Sequence, residues 1–332
     1  MHLPRIAIAT GDPAGIGPEI ALKAVFQSVV TDVCRPLLVG DPAAIALHAD
    51  TAGLSADLRV IRAVGEADWT SGVVNVLEAG DRGGTPLQFG TVAAEYGRAS
   101  VASARRAIKA ALAGEVEAVV AAPQTERSIA AAGIPFDGYP SFVARETKTP
   151  IHDVFLMICF DRCRIVHTTL HLSVREAIDL ITRERVERVI QVADAALRKH
   201  GIARPKIFVS GLNPHAGEQG LFGTEEIEII APAIARAAAG GIDVSGPFGA
   251  DTMFRKPGCD AYIVMLHDQG HIAAKLQAFN RTAGFSIGSP ILFSSVAHGS
   301  AHDIAGKNQA DPRAMIEAIT RLAKISRSEE TA

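Results

Sequence analysis

The sequence is poor in the features that mark several large protein classes. Aromatic residues make up only 5% of its 332 positions, while small residues abound, a balance that suits helices packed closely on a sheet. The four cysteines, Cys34, Cys159, Cys163 and Cys259, offer neither a CxxC pair nor a disulfide framework. They read as buried small hydrophobes, although the short step from Cys159 to Cys163 could make half a metal site. The formal net charge is -3, with Lys and Arg dispersed along the chain, so nucleic acid and anionic membranes find no electrostatic footprint. No apolar run is long enough for a spanning helix or a signal peptide, and the cytoplasm is the expected location. HExxH, GxSxG and Cys/His nucleophile arrangements are missing as well.

What is present is an alternation of strands and helices. Hydrophobic residues form 48% and charged residues 21% of the chain, the balance of a soluble globular protein with room for two domains. Apolar runs at Arg5 to Thr10, Leu37 to Gly40, Val74 to Leu77 and Ala118 to Ala122 read as buried strands. So do Ile151 to Phe160, Arg164 to Thr169, Lys206 to Ser210 and Ala261 to Leu266. Helical spacing marks Pro18 to Ser28, a helix opening at Asp41-Pro42, Thr91 to Ala113, Arg185 to His200 and Pro312 to Ser326, with a polar tail from Ser328. The pattern predicts an α/β fold with a largely parallel sheet. No repeat or low-complexity linker marks a boundary, which fits a chain that crosses between its domains more than once.

Two turns stand out. Gly11-Asp12-Pro13-Ala14-Gly15-Ile16-Gly17-Pro18 matches neither GxGxxG nor the Walker spacing, and reads as a tight strand-to-helix turn that lets Asp12 face a cleft. Gly211-Leu212-Asn213-Pro214-His215-Ala216-Gly217-Glu218 follows a buried strand and exposes His215 at its carboxyl end, where open α/β sheets bind ligands. Alternation puts His167 and His171 on one face if their strand runs that far. His267-Asp268 follows another strand directly, and His298-Gly299-Ser300 starts a further loop. His2, His48, His152 and His200 sit in polar or terminal contexts and read as solvated. A strand-end His beside an Asp is the usual arrangement of a metal ligand held by a carboxylate, and imidazoles suit zinc or a related divalent ion. Spacing alone leaves ordinary loop histidines as the alternative.

The two turns, Gly246-Pro247 with Ala250-Asp251-Thr252, and His267-Asp268-Gln269-Gly270 resemble, in the same order, the 4-hydroxythreonine-4-phosphate dehydrogenase family of vitamin B6 synthesis. The resemblance spans nearly the whole chain. It implies an isocitrate/isopropylmalate dehydrogenase-like fold: a homodimer of two α/β domains with an interdomain cleft. The implied domains are 1–122 plus 296–332 on the cofactor side, and 123–295 for metal, substrate and dimerisation. Carried over residue by residue, it assigns His171, His215 and His267 to a divalent metal (Zn, or Mg, Co or Mn), and Lys275 and Asp251 to substrate binding and proton transfer. His298, Gly299, Ala301 and Asp303 fall in a loop resembling the adenine side of the related dehydrogenases. There, the Asp303 carboxylate favours NAD over NADP, since it repels a 2′-phosphate.

The chain departs from this family at the substrate phosphate. The family's Gly-His-Thr reads Gly138-Tyr139-Pro140, followed by Ser141; its Asn aligns with Gly284 and its Arg with Phe293; its Asn-Lys reads Gln124-Thr125. Each lost charge-assisted bond is worth about 1.5–3 kcal/mol. The replacements resemble the family's terephthalate dihydrodiol dehydrogenase-like members, with Tyr139 and Phe293 expected to line a more apolar pocket. The expected activity is a metal-dependent, NAD-linked oxidation of a 3-hydroxy acid with decarboxylation, on an unphosphorylated cis-dihydrodiol carboxylate. The alternatives are 4-hydroxythreonine-4-phosphate as substrate, or a non-catalytic metabolite-binding protein that kept the fold. Beyond a small hydroxy acid and a second copy of the chain, no nucleic-acid or membrane partner is expected.

Overall fold

Twelve strands alternate with helices along the chain, in a computed structural model that describes residues 3–80, 82–278 and 281–329. His2, expected to be solvated, lies outside the described residues. The chain divides into two units, Met1–Thr147 with Pro290–Ala332, and Lys148–Ser289. The boundaries differ from the expected 122/123 and 295/296 for a physical reason. Helices Glu126–Ala131 and Tyr139–Thr147 pack on helix Ala94–Leu112, and the late strand Leu292–Val296 pairs with Ala118–Ala121, Phe293 opposite Val119. Residues 123–147 and 290–295 therefore stay with the first unit.

The first unit holds β1 (Arg5–Ala9), β2 (Arg35–Gly40), β3 (Asp57–Ile61), β4 (Val73–Glu78), β5 (Ala118–Ala121) and β12 (Leu292–Val296). They lie in the order β3-β4-β2-β1-β5-β12, every pair parallel. Ile6, Ile8, Leu37 and Val119 are fully buried, as expected of strands covered on both faces. Asp41 caps helix Pro42–Thr51 by accepting from the Ala43 and Ala44 amides, with Pro42 at the position where no amide is needed. The chain leaves β1 toward β2 and later returns to its other side as β5, so the β1/β5 boundary is the unit's topological switch point, the usual place for a ligand. β3 has a half-exposed pattern, and for that reason shows no apolar run in the sequence.

The second unit holds β6 (Phe155–Phe160), β7 (Cys163–His167), β8 (Lys206–Ser210), β9 (Asp243–Phe248), β10 (Ala261–Val264) and β11 (Ala283–Ile287), ordered β11-β6-β7-β10-β8-β9. β6 runs antiparallel to both its neighbours, β7 and β11; β7, β10, β8 and β9 are mutually parallel. Helix Arg183–Lys199 buries Val186, Val189, Ile190, Ala193 and Leu197, starts on a Thr182 cap and ends on Arg198 and Lys199, which suit the negative end of its dipole. The strand expected from Ile151 begins only at Phe155, because a short helical turn at Ile151–Asp153 precedes it. The terminal helix runs Arg313–Glu329, past the expected start of a polar tail. No helix among the described residues is long and apolar enough to cross a membrane.

Candidate active site

Three histidines lie beyond the carboxyl ends of the three adjacent parallel strands of the second unit. His171 follows β7, His267 follows β10 and His215 follows β8. β7 stops at His167, so His171 stands in the loop ahead of helix Val174–Leu180 and does not share a strand face with His167. That helix is fixed by a capping box between Ser173 and Glu176. His267 opens helix His267–Ala278, and its Nδ1 meets Asp268 Oδ1 at 2.7 Å. A carboxylate only accepts, so Nδ1 carries the proton and the lone pair is left on Nε2, the tautomer a metal ligand needs. The hydrogen bond from His267 holds the Asp268 carboxyl below the usual range.

The His171 and His267 ring centroids are 5.6 Å apart. Two imidazoles on one tetrahedral ion have centroids about 5 Å apart, from Zn–N bonds of about 2.0–2.1 Å, so this pair fits a shared divalent ion in chemistry and in spacing. Among the described residues no three His, Cys, Asp or Glu side chains are grouped closely enough to hold an ion, so within one chain His215 is not brought to this pair. A cavity of about 460 Å³ opens beside the pair, lined by Leu170, His171, Ser173, Glu176, Leu266 and His267, a size suited to a small molecule.

Two further imidazoles join this row. His271 stacks on His267, centroids 3.7 Å apart and planes 9° apart, and His167 lies 4.6 Å from His271. Burial, and then the neighbouring His267, lower the His271 pKa to about 4; burial pushes fully buried His167 well below the ordinary histidine range. Sequence reasoning assigned neither to the site. The available signal was spacing: His267, His271 and Lys275 recur every four residues, one face of a helix. Lys275 is exposed on that face.

His215 sits in unusual backbone. From His215 to Gln219 five consecutive residues have positive φ, between 42° and 78°, four of them not glycine. A left-handed turn of L-residues costs about 1–2 kcal/mol per residue and persists only where its surroundings over-determine it. Gln269 ties this loop to the His267 turn: its Oε1 accepts from the Met265 and Leu266 amides at 2.9 and 3.0 Å, and its Nε2 donates to Gly211 O at 3.2 Å. Exposed Asp251 belongs to the turn on the loop's other flank, where a Cβ on Gly249 would lie 2.9 Å from Asp251 Oδ1 and 3.9 Å from His215 Cα.

In the first unit, the loops after β1, β5 and β12 meet at the switch point. His302 Nε2 lies 3.2 Å from Asp12 Oδ2 and 3.0 Å from Thr125 Oγ1. Asp12 is fully buried and its other oxygen accepts from the Ala14 amide at 2.9 Å, so it faces its own unit's loops, a correction to the open cleft expected for it. The Ser300 carbonyl accepts from the Ile16 amide at 2.9 Å, which fastens the His298–Asp303 loop to the Gly11 turn. Within it, His298 is half-buried, Gly299 and Asp303 are exposed, and Ala301 has φ 40°.

The expected substrate contacts fare differently. Phe293 is buried at 2% exposure in the core between β12 and β5, and Tyr139 packs on it at 5.2 Å with its hydroxyl donating to Ala122 O at 2.7 Å. Burial raises the Tyr139 pKa far above the ordinary tyrosine value. The Phe293 ring fills core, which corrects the expectation that it lines an open pocket, while Tyr139 packs against that core partly buried. Pro140 is buried in a helix, Ser141 half-buried beside it, and Gly284 buried within β11. His48, expected to be solvated, is buried with Nε2 2.9 Å from Pro13 O, and His200 packs on Phe285 at 5.3 Å.

Comparison with known proteins agrees with the reading of the motifs. The family model described as pyridoxal phosphate biosynthetic protein PdxA matches residues 32–322. A protein of Symbiobacterium thermophilum provisionally named D-threonate 4-phosphate dehydrogenase is 41% identical over 97% of both chains. The 1,2-dihydroxy-3,5-cyclohexadiene-1,4-dicarboxylate dehydrogenase of a Comamonas species is 39% identical over 96% of both. The crystal structure of a 4-hydroxythreonine-4-phosphate dehydrogenase from Klebsiella pneumoniae superposes with a TM-score of 0.85 at 36% identity, over 97% of this chain and 99% of that one. The chain belongs to the PdxA family and is an oxidoreductase acting on CH-OH groups.

Proposed function

We propose that the protein is a metal-assisted, NAD-linked dehydrogenase of an unphosphorylated 3-hydroxy acid, a cis-dihydrodiol carboxylate of the kind the Comamonas relative is named for, and that oxidation is followed by loss of CO2. One observation carries the choice of substrate. At the positions where the family binds phosphate, this chain offers no cation: Phe293 and Gly284 are buried, Pro140 has no amide, and the Tyr139 hydroxyl donates to Ala122 O. A dianion would be left uncompensated there, whereas a carbon ring acid needs no such clamp. The Symbiobacterium relative's name favours a phosphorylated four-carbon acid, and the same assay separates the two.

The residues would divide the work as follows. His171 and His267, with His215 as third donor, would hold a divalent ion, which would supply Lewis-acid polarisation of a substrate oxygen, and NAD would be the hydride acceptor. Lys275, on the helix face of His267 and His271, would pair its ammonium with the substrate carboxylate. Asp251, beside the His215 loop, would take the hydroxyl proton. The resulting β-keto acid would release CO2, the bonding pair forming a ring double bond as the ketone oxygen takes a proton, and the aromatic ring so restored draws the reaction forward. The Asp303 carboxylate would accept from the adenosine ribose hydroxyls and repel a 2′-phosphate.

The proposal includes a homodimer. Leu276 is 82%, Leu221 71% and Val174 65% exposed, large apolar side chains in the segments that follow His267, His215 and His171, and a second copy is the partner that would cover them. The deciding experiment is turnover by purified protein of a cis-dihydrodiol dicarboxylate and of 4-phosphohydroxythreonine, each with NAD and with NADP, before and after chelation. Chelator-sensitive NADH formation on the diol acid is expected. Turnover of the phosphorylated acid alone would overturn the assignment, and equal efficiency with NADP would remove the role given to Asp303.

A further inference from the structure

The left-handed run that carries His215 needs something to hold it, and the structure provides a buried carboxylate. Glu226 is 3% exposed. Its Oε1 accepts from the Leu212 amide at 2.7 Å and from the Asn213 amide at 2.8 Å, and its Oε2 from Asn213 Nδ2 at 2.9 Å. Asn213 Nδ2 also donates to Glu225 Oε2 at 2.6 Å. The backbone is thus gripped at the two residues that lead into Pro214 and His215.

The glycines of this loop make room for that carboxylate. A Cβ on Gly211 would lie 2.9 Å from Glu226 Oε1, and one on Gly217 would lie 2.6 Å from Oε2. Glu226 itself opens a π-helical turn, Glu226–Ile230, that runs on into helix Ala231–Ala239, so the grip is anchored in a packed element rather than in another loop. Wide helical turns of this kind occur frequently at functional sites.

We infer that Glu226 is the positioning residue that aims His215, holding the loop in left-handed backbone that its sequence would otherwise leave. This rests on the reading that His215 works at the reacting end of the site. Glu226 touches neither substrate nor cofactor; it acts through the loop. A displacement of the order of 1 Å in a positioned group lowers turnover by about 100-fold, so loosening the grip reads out in kcat.

The test compares Glu226→Ala, Glu226→Gln, His215→Ala and the exposed neighbour Glu228→Gln. Steady-state kinetics with the substrate the wild type turns over are measured beside hydrogen exchange of the amides of residues 212–219. Glu226→Ala is expected to lower kcat about 10- to 100-fold with KM for NAD unchanged, and to speed exchange in 212–219 above that of the surrounding strands. Glu226→Gln keeps an oxygen for the two amides and is expected to fall between Ala and wild type, while Glu228→Gln matches wild type. Should Glu226→Ala fail to fold, Glu226→Gln and the exchange measurement decide alone. Wild-type kcat in a folded Glu226 variant would overturn the inference, as would a uniform rise in exchange with Gln no better than Ala. Full activity in His215→Ala would instead overturn the reading of the site, a result distinct from a dead His215→Ala beside a fully active Glu226→Ala.

Discussion

The imidazoles of His267 and His271 lie parallel, 3.7 Å between centroids, on successive turns of one helix. Two rings so placed cannot both take a proton cheaply, and the His271 pKa falls to about 4, by burial first and His267 second. The sign follows from linkage. Below its ordinary value of 6.5 the unfolded histidine is protonated while the folded one is not, so stability is lost as pH falls from 6.5 towards 4. His271→Gln is expected to flatten that acid limb by about 1–2 kcal/mol after allowance for solvent screening. Urea melts of the metal-free protein at several pH values check it; an unchanged slope would mean that the stack does not suppress protonation.

Gly217 should be far less replaceable than Gly53, although both have positive φ, 78° and 65°. A Cβ at Gly53 meets nothing within 4 Å, whereas at Gly217 it meets the Glu226 carboxylate. Gly53→Ala should cost about 1 kcal/mol for backbone strain alone, and Gly217→Ala about 2–4 kcal/mol for strain plus collision. Thermal unfolding of the two variants gives the comparison, and equal shifts would deny that the loop is built around Glu226.

Tyr139→Phe removes the donor to Ala122 O and should cost about 0.5–1.5 kcal/mol with KM for the organic substrate unchanged. A rise in KM of tenfold or more would place the hydroxyl in substrate binding and contradict its commitment to the backbone.

Burial pushes the Cys34 thiol up to about 12 from an ordinary value of 9.0. Above pH 9 the unfolded thiol ionises and the folded one stays protonated, so the folded state is progressively lost as pH rises, by about 1.4 kcal/mol per unit for each such group. Cys34→Ala should shallow the alkaline limb between pH 9 and 11. Rapid labelling of native Cys34 by a thiol reagent at pH 8 would show that the burial is not maintained in solution.

The strands buried on both faces were legible because each is a continuous apolar run: β1, β2, β5 and β8 fall within a residue or two of where composition puts them. β3 and β9 were not, since half-exposed strands carry no such run; nor were β11 and β12, buried strands whose apolar runs are broken by Gly284 and Ser286 and by Ser294 and Ser295. Of the site, His215 and His267 could be placed at strand ends from turn chemistry alone. The His267–His271 stack could not, because it depends on rotamers of a helix whose start gave no separate signal. Phe293 misled for a related reason: resemblance says which residue occupies a position, and only packing says whether its ring meets the ligand or the core.

The first unit is closed by a strand from far down the chain. β12 lies beyond β5 in its sheet, yet the whole of the second unit, Lys148–Ser289, intervenes between them in sequence. During synthesis the later-encoded unit is therefore complete before the earlier one, whose β5 edge waits unpaired for some 170 residues. Non-local pairing of this kind is slow and leaves an edge open to the wrong partner. The order of assembly in this chain runs from the inside of the sequence outward.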